Sequence, residues 1–153
     1  CIYLEATKDI YGVEMLGVIK NMYAILFGII EEQFSSSNTR FMILSKMFNE
    51  IKILSNEFNI DDETLFLSCG LGDLCLTSFN DVSRNRTLGK KIGKGHYTLK
   101  EKNNAIIEGV YSVKTIISLV DSTTLEKLPL LKKLFLFFDA ECKKFELNLN
   151  QIN

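Results

Sequence analysis

Lys20 stands inside a run, Ile10 to Ile30, that is otherwise apolar apart from Glu14, Asn21, tyrosines and glycines. Burying an unpaired ammonium is costly. Such a lysine either snorkels to the surface along its own stem or works as an ammonium drawn part-way out of water. In the second case it serves as general acid or base, or forms a Schiff base. A second stretch, Gly70-Leu71-Gly72-Asp73, sets a carboxylate in a tight turn. That aspartate either caps the short segment after it or partners Lys20. A third, Ser83-Arg84-Asn85-Arg86, falls at a predicted helix start. There, free N–H groups and the helix dipole favour phosphate, and arginine adds a bidentate fork for its oxygens. The alternative is a solvated basic face. Together the three stretches point to a site that binds a small anion and moves a proton.

The elements that must carry these residues read as helices. Strand-type alternation is scarce and Pro129 is the single proline. The Ile10–Ile30 segment is apolar nearly all round, which marks a core helix or a membrane span. The clean run after Asn21 is too short to span, and Lys20 would fall in mid-membrane, so a core helix is expected. Gly17, Asn21, Ala24 and Gly28 share one face of it, with Lys20 at the edge of that face, looking into a crevice. Phe41, Leu44, Met47, Phe48, Ile51, Leu54 and Phe58 keep helical spacing, with Lys, Asn and Glu between them, as an amphipathic helix does. Ser36, Ser37 and Asn38 are its N-cap candidates, and Asp61 or Asp62 caps a short segment from Glu63 to Leu67. Further helices are expected over Ala105–Val120, stopped by Asp121-Ser122-Thr123-Thr124, and over Pro129–Lys144. The tail after Phe145 is expected to fray.

Composition narrows the class. A chain of 153 residues, 46% apolar and 24% charged, suits one globular domain. With 18 basic and 19 acidic residues the net charge is −1, so no global field draws it to nucleic acid or a membrane surface. The basic stretch also lacks the interleaved aromatics that single-stranded nucleic acid needs. Four cysteines without a C-x-x-C pair, and a single histidine, give no zinc pattern. Free thiols and a cytoplasmic location are expected, with no metal and no transmembrane segment. His96 reads as a surface loop residue. The chain opens on Cys1 rather than Met, as a fragment would, and no Gly-x-Gly-x-x-Gly follows a strand in it.

Taken in order, six motifs resemble one family. They are Gly12-Val13-Glu14, Lys20-Asn21 with Ala24 and Gly28, Asn38-Thr39-Arg40, Gly70-Leu71-Gly72-Asp73-Leu74 with Thr77, Ser83-Arg84-Asn85-Arg86, and Glu108-Gly109-Val110. The chain is similar, over about residues 8 to 120, to the C-terminal helical domain of bacterial-type NAD(P)-dependent glycerol-3-phosphate dehydrogenase. The likeness fades beyond Thr124, and Leu16 stands where the family usually shows glycine.

The resemblance implies a fold and a set of roles. The fold is an all-α bundle of about six to eight helices, like the helical C-terminal domain of 6-phosphogluconate-dehydrogenase-like enzymes. Lys20 would protonate the carbonyl oxygen as dihydroxyacetone phosphate is reduced to sn-glycerol 3-phosphate, a precursor of glycerophospholipids. Asp73 would hold lysine and substrate in place. Ser83, Arg84 and Asn85 would bind substrate, and Arg84, Ile106 and Glu108 would touch the NAD or NADP. Residues 1–153 would then be one helical substrate domain, inactive alone and prone to form a homodimer. Two rivals remain: the helical domain of a related hydroxyacid or sugar-acid dehydrogenase, and a non-catalytic helical interaction module whose Lys20 merely snorkels. The placement of Lys20 relative to Asp73 and Asn85 discriminates between a site and a module.

Overall fold

The computed structural model describes residues 4–79, 82–97, 108–139 and 144–149. Among these there are eight α-helices, one π-helical turn and no strand. The helices are α1 (Ile10–Gln33), α2 (Ser37–Glu57), α3 (Asp62–Phe66), α4 (Asp73–Phe79), α5 (Arg84–Gly93), α6 (Glu108–Leu119), α7 (Ser122–Leu125) and α8 (Pro129–Asp139), with the π-turn over Ser68–Gly72 leading directly into α4. The all-α bundle expected from the sequence is the fold observed.

Helix α1 is its axis. Every residue from Met22 to Ile30 is buried, and the helix packs chiefly on α5, then on α6 and α4. Its best 18-residue window has a mean hydropathy of 1.6, long and apolar enough to cross a membrane, but 61% of that window is covered by the other helices. Each buried Ile or Leu here contributes about 1.5–3 kcal/mol.

Small residues bring α1 and α5 into backbone contact. A Cβ on Gly28 would collide with the Arg86 carbonyl and come within 2.9 Å of the Lys90 nitrogen; one on Gly89 would lie 2.9 Å from the Gly28 Cα. The α1–α5 approach therefore requires glycine on both sides.

Helix starts follow local chemistry. The Asp9 carboxylate accepts the Gly12 N–H at 2.8 Å and also the Asp61 N–H at 3.0 Å, fastening the entry of α1 to that of α3. Ser36 is the cap of α2 and Asp61 precedes α3 without a side-chain bond. Asp121 does more than stop α6: it accepts the Thr124 N–H at 2.6 Å and starts the short α7.

Two expectations need correction. As far as residue 149 the tail after Phe145 does not fray, since Phe145 and Leu147 are buried. The Gln33 side-chain amide holds this segment at two points, donating to the Phe145 carbonyl and accepting the Leu147 N–H at 3.2 Å. Glu50, expected on the polar face of α2, is also buried. Its carboxylate accepts the Leu130 and Leu131 N–H groups at 2.6 and 3.1 Å and the Tyr23 hydroxyl at 2.8 Å. Those amides open α8 just after Pro129, so a glutamate from α2 supplies the N-terminal acceptor that α8 lacks of its own. Burial pushes the Glu50 carboxyl up to about 7 even though its three donors pull the other way. The same burial, with Glu50 beside it, raises the Tyr23 hydroxyl well above its ordinary value.

Candidate active site

Helix α1 carries Lys20 to the side of the bundle where the π-turn and α4 pack. Gly70, in the π-turn, is pressed so close to the Leu65 carbonyl that no side chain would fit. This turn delivers Asp73 to the first position of α4 with its carboxylate turned back to α1. The Lys20 ammonium donates to Asp73 Oδ2, and the two form an ion pair with side chains 24% and 33% exposed. Thr77, one turn along α4, places its hydroxyl 3.4 Å from the other carboxylate oxygen. Lys20 therefore does not snorkel free: its charge is neutralised by a partner at the edge of the core.

The adjoining face of α1, about 100° round the helix, meets α5 and α6. Asn21 accepts the Asn85 side-chain N–H at 2.8 Å, and Asn85 Oδ1 accepts the Gly109 N–H at 3.1 Å. Asn21 in turn donates to the Gly17 carbonyl at 3.0 Å and reaches Glu108 Oε2 at 3.5 Å. The close seat of α6 needs Gly109, where a Cβ would stand 2.7 Å from the Asn21 carbonyl. Consecutive residues of α1 thus carry two neighbouring polar pairs, Lys20 with Asp73 and Asn21 with Asn85.

Ser83 caps α5, accepting the Arg86 N–H at 3.3 Å, and keeps its own hydroxyl hydrogen to donate. Arg84 is 83% exposed and lies 3.9 Å from Glu108 Oε1, so the starts of α5 and α6 share one rim. Ile106 lies outside the described residues. The rest of the basic stretch is not a solvated face. Arg86 is buried and grips Glu31 of α1 through Nε and Nη2 at 2.8–3.1 Å. Lys90 stands 3.5 Å from the same glutamate and Lys94 3.6 Å from Glu32. Of this stretch, Arg84 is the arginine that points outward.

Behind the ion pair, Lys20 helps to wall a mainly apolar cavity of about 230 Å³, shared with Leu16, Phe48, Ile51, Leu65 and Leu74. Leu16 itself is buried in the core. Cys69, within the π-turn, and Cys75, in the first turn of α4, are free thiols and partly buried. His96 is exposed. No cluster of three or more His, Cys, Asp or Glu able to hold a metal occurs among the described residues.

Sequence alone assigned no role to Asn21, Thr77 or the Glu31–Arg86 pair. Asn21 adjoins Lys20, and Thr77 follows Asp73 by four residues, a spacing that puts both on one helix face. Glu31 carried no such signal, because its partner lies 55 residues away.

The geometry can do specific chemistry. It presents an ammonium and carboxylate in contact, an amide pair beside them, and a capped helix start with an outward arginine. That set suits a small phosphorylated carbonyl compound receiving a proton.

Residues 9–144 match the family model described as the C-terminus of NAD-dependent glycerol-3-phosphate dehydrogenase, further along the chain than the motifs reach. The chain is 36% identical over 134 residues to an NAD(P)-dependent glycerol-3-phosphate dehydrogenase of Methanothermobacter thermautotrophicus, covering 88% of this chain and 40% of that protein. It is 32% identical to an NAD-dependent, chloroplastic glycerol-3-phosphate dehydrogenase of Arabidopsis thaliana, covering 90% of this chain and 33% of the relative. Among solved structures, glycerol-3-phosphate dehydrogenase from Coxiella burnetii superposes with a TM-score of 0.75 at 31% identity, covering 86% of this chain and 41% of the other. The chain spans between a third and about two fifths of the length of the curated relatives it matches.

Proposed function

The chain belongs to the NAD-dependent glycerol-3-phosphate dehydrogenase family, matching its C-terminal part, and we propose that it is the substrate-holding, proton-handling half of such an enzyme. The reaction is reduction of dihydroxyacetone phosphate to sn-glycerol 3-phosphate and its reverse. The observation that carries this reading is the Lys20–Asp73 ion pair set beside Asn21–Asn85.

Reduced NAD(P), when bound, supplies a hydride to the ketone carbon. The chain's own residues do the rest. A ketone that accepts hydride leaves an alkoxide oxygen, and Lys20 gives it a proton from the ammonium. In the reverse direction neutral Lys20 takes the hydroxyl proton. Asp73 steadies the ammonium and, with Thr77 bracing its second oxygen, fixes the direction of donation. Ser83, Arg84 and Asn85 hold the substrate, its phosphate set toward the free N–H groups of α5. Asn85 is itself held between Asn21 and Gly109.

The residues present fit only one edge of the dinucleotide. Arg84 and Glu108 are exposed on a common rim and would touch it there. No strand with a glycine-rich turn occurs among the described residues to cradle the pyrophosphate. A nucleotide-binding portion supplied from outside residues 1–153 is therefore part of the proposal, and the choice between NAD and NADP rests with that portion. Self-association is also proposed, though not through α8, because Leu130, Leu131, Leu134, Phe137 and Phe138 all face inward.

The test is an assay of the complete enzyme with NADH or NADPH and a panel of ketones. Rapid oxidation with dihydroxyacetone phosphate, and little with unphosphorylated dihydroxyacetone or 2-oxo acids, is expected. A preference for 2-oxo acids would favour the hydroxyacid dehydrogenase reading instead.

A further inference from the structure

We propose that Gly17 determines substrate size: the space left by its missing side chain is the floor on which the small phosphorylated ketone lies. This rests on the function proposed above.

Gly17 is unlike the other glycines. Gly12, Gly28, Gly70, Gly89, Gly93 and Gly109 each have atoms within 3 Å of where a Cβ would stand, so packing or a cap excludes a side chain there. Gly95 has a φ of 73°, which favours glycine. Gly72 sits inside the π-turn, with Ser68 Cβ 3.7 Å away. Gly17 lies well inside α1, is partly exposed, and apart from its chain neighbours and its own helix backbone has no described atom within 4 Å of its Cβ position. A glycine inside a helix costs stability relative to alanine. Among the described residues no neighbour repays that cost, so the empty volume itself is what the residue supplies.

Its position says to what. Gly17 precedes Lys20 by three residues and Asn21 by four, on the same face of α1, and its carbonyl accepts the Asn21 amide at 3.0 Å. Helices α1 and α5 run side by side in one direction: Asn21 meets Asn85, while Ile25 meets Gly89 and Ile29 meets Gly93. One turn back from Asn21, roughly 6 Å along the axis, Gly17 is therefore level with the space just beyond the start of α5. A ligand with its oxygen at Lys20 and its anionic end at Ser83–Asn85 crosses that space. A methyl group at Gly17 would project into it.

The experiment uses the complete enzyme and the variants Gly17→Ala and Gly17→Leu. Three quantities are read: the thermal midpoint, the KM for dihydroxyacetone phosphate and the KM for the dinucleotide. Gly17→Ala is expected to raise the midpoint by a few degrees. It should also raise the ketone KM tenfold or more, with the dinucleotide KM within twofold of the parent, and Gly17→Leu should raise the ketone KM further. Unchanged ketone KM in both variants overturns the proposal. So does a lowered midpoint for Gly17→Ala, which would make Gly17 a packing residue. A rise confined to the dinucleotide KM also overturns it, assigning the space to the nicotinamide. A parent enzyme inactive with dihydroxyacetone phosphate contradicts the function proposed above and this inference with it; an active parent with indifferent variants contradicts this inference alone.

Discussion

Asn85 is hydrogen-bonded to Asn21 at 2.8 Å through its side-chain N–H, while its oxygen takes the Gly109 N–H at 3.1 Å. One buried amide therefore ties the start of α5 to the middle of α1 and the first turn of α6. Those are the elements that carry Arg84, Lys20 and Glu108, and Arg84 and Glu108 share one rim.

Replacing that amide should show in stability as well as activity. Asn85→Ala leaves the Gly109 N–H and the Asn21 oxygen without their partner, at about 1–3 kcal/mol for a buried group left unpaired. Asn85→Asp keeps an acceptor for Gly109 but sets a buried carboxylate oxygen against the Asn21 oxygen, acceptor against acceptor, and should lose at least as much. Denaturant unfolding checks both variants; an Asn85→Asp protein as stable as the parent would show that the Asn85–Asn21 bond does not matter.

The Glu31–Arg86 pair anchors α5 against α1 beside the Gly28–Gly89 contact. Arg86→Ala removes a buried cation and its bidentate grip on Glu31, so a loss of about 3–5 kcal/mol is expected. The double variant Arg86→Met, Glu31→Gln should recover much of that loss, because the desolvated charges go together. A double-mutant cycle in denaturant measures both.

Glu50 predicts a pH dependence with a definite sign. Its folded-state value of about 7 lies above its ordinary 4.5, so the folded chain holds the proton more tightly than the unfolded one. The resulting stability is fully present below pH 4.5 and is lost as pH rises through 7, amounting to about 3 kcal/mol over that window. Unfolding free energies at pH 5 and pH 8 should differ less in Glu50→Gln than in the parent. An identical pH slope in the two proteins would contradict this.

The helices were legible in the sequence because apolar periodicity and side-chain caps are local signals. Asp9, Ser36, Ser83 and Asp121 stand where the helix starts need them. The meeting of Lys20 with Asp73 stood in the sequence as one of two readings of that aspartate, and only the order of six motifs favoured it, since nothing local reports a contact across 53 residues. Glu50 was misplaced for the same reason: its partners are backbone N–H groups of α8, which carry no side-chain signature. Phe145 and Leu147 looked like a loose end because the side chain that secures them, Gln33, lies more than a hundred residues earlier. The π-turn was legible as a glycine turn but not as a π-turn, a shape imposed by Gly70 packing on Leu65.

The central claim is that Lys20, held by Asp73, donates the proton. The most direct measurement is kcat for dihydroxyacetone phosphate reduction by the complete enzyme carrying Lys20→Ala, with circular dichroism and dinucleotide binding as controls. Loss of a positioned general acid predicts a fall of about 10²–10⁴-fold, with helix content and dinucleotide affinity kept. A variant that folds, binds the dinucleotide and turns over within a few-fold of the parent would contradict the account.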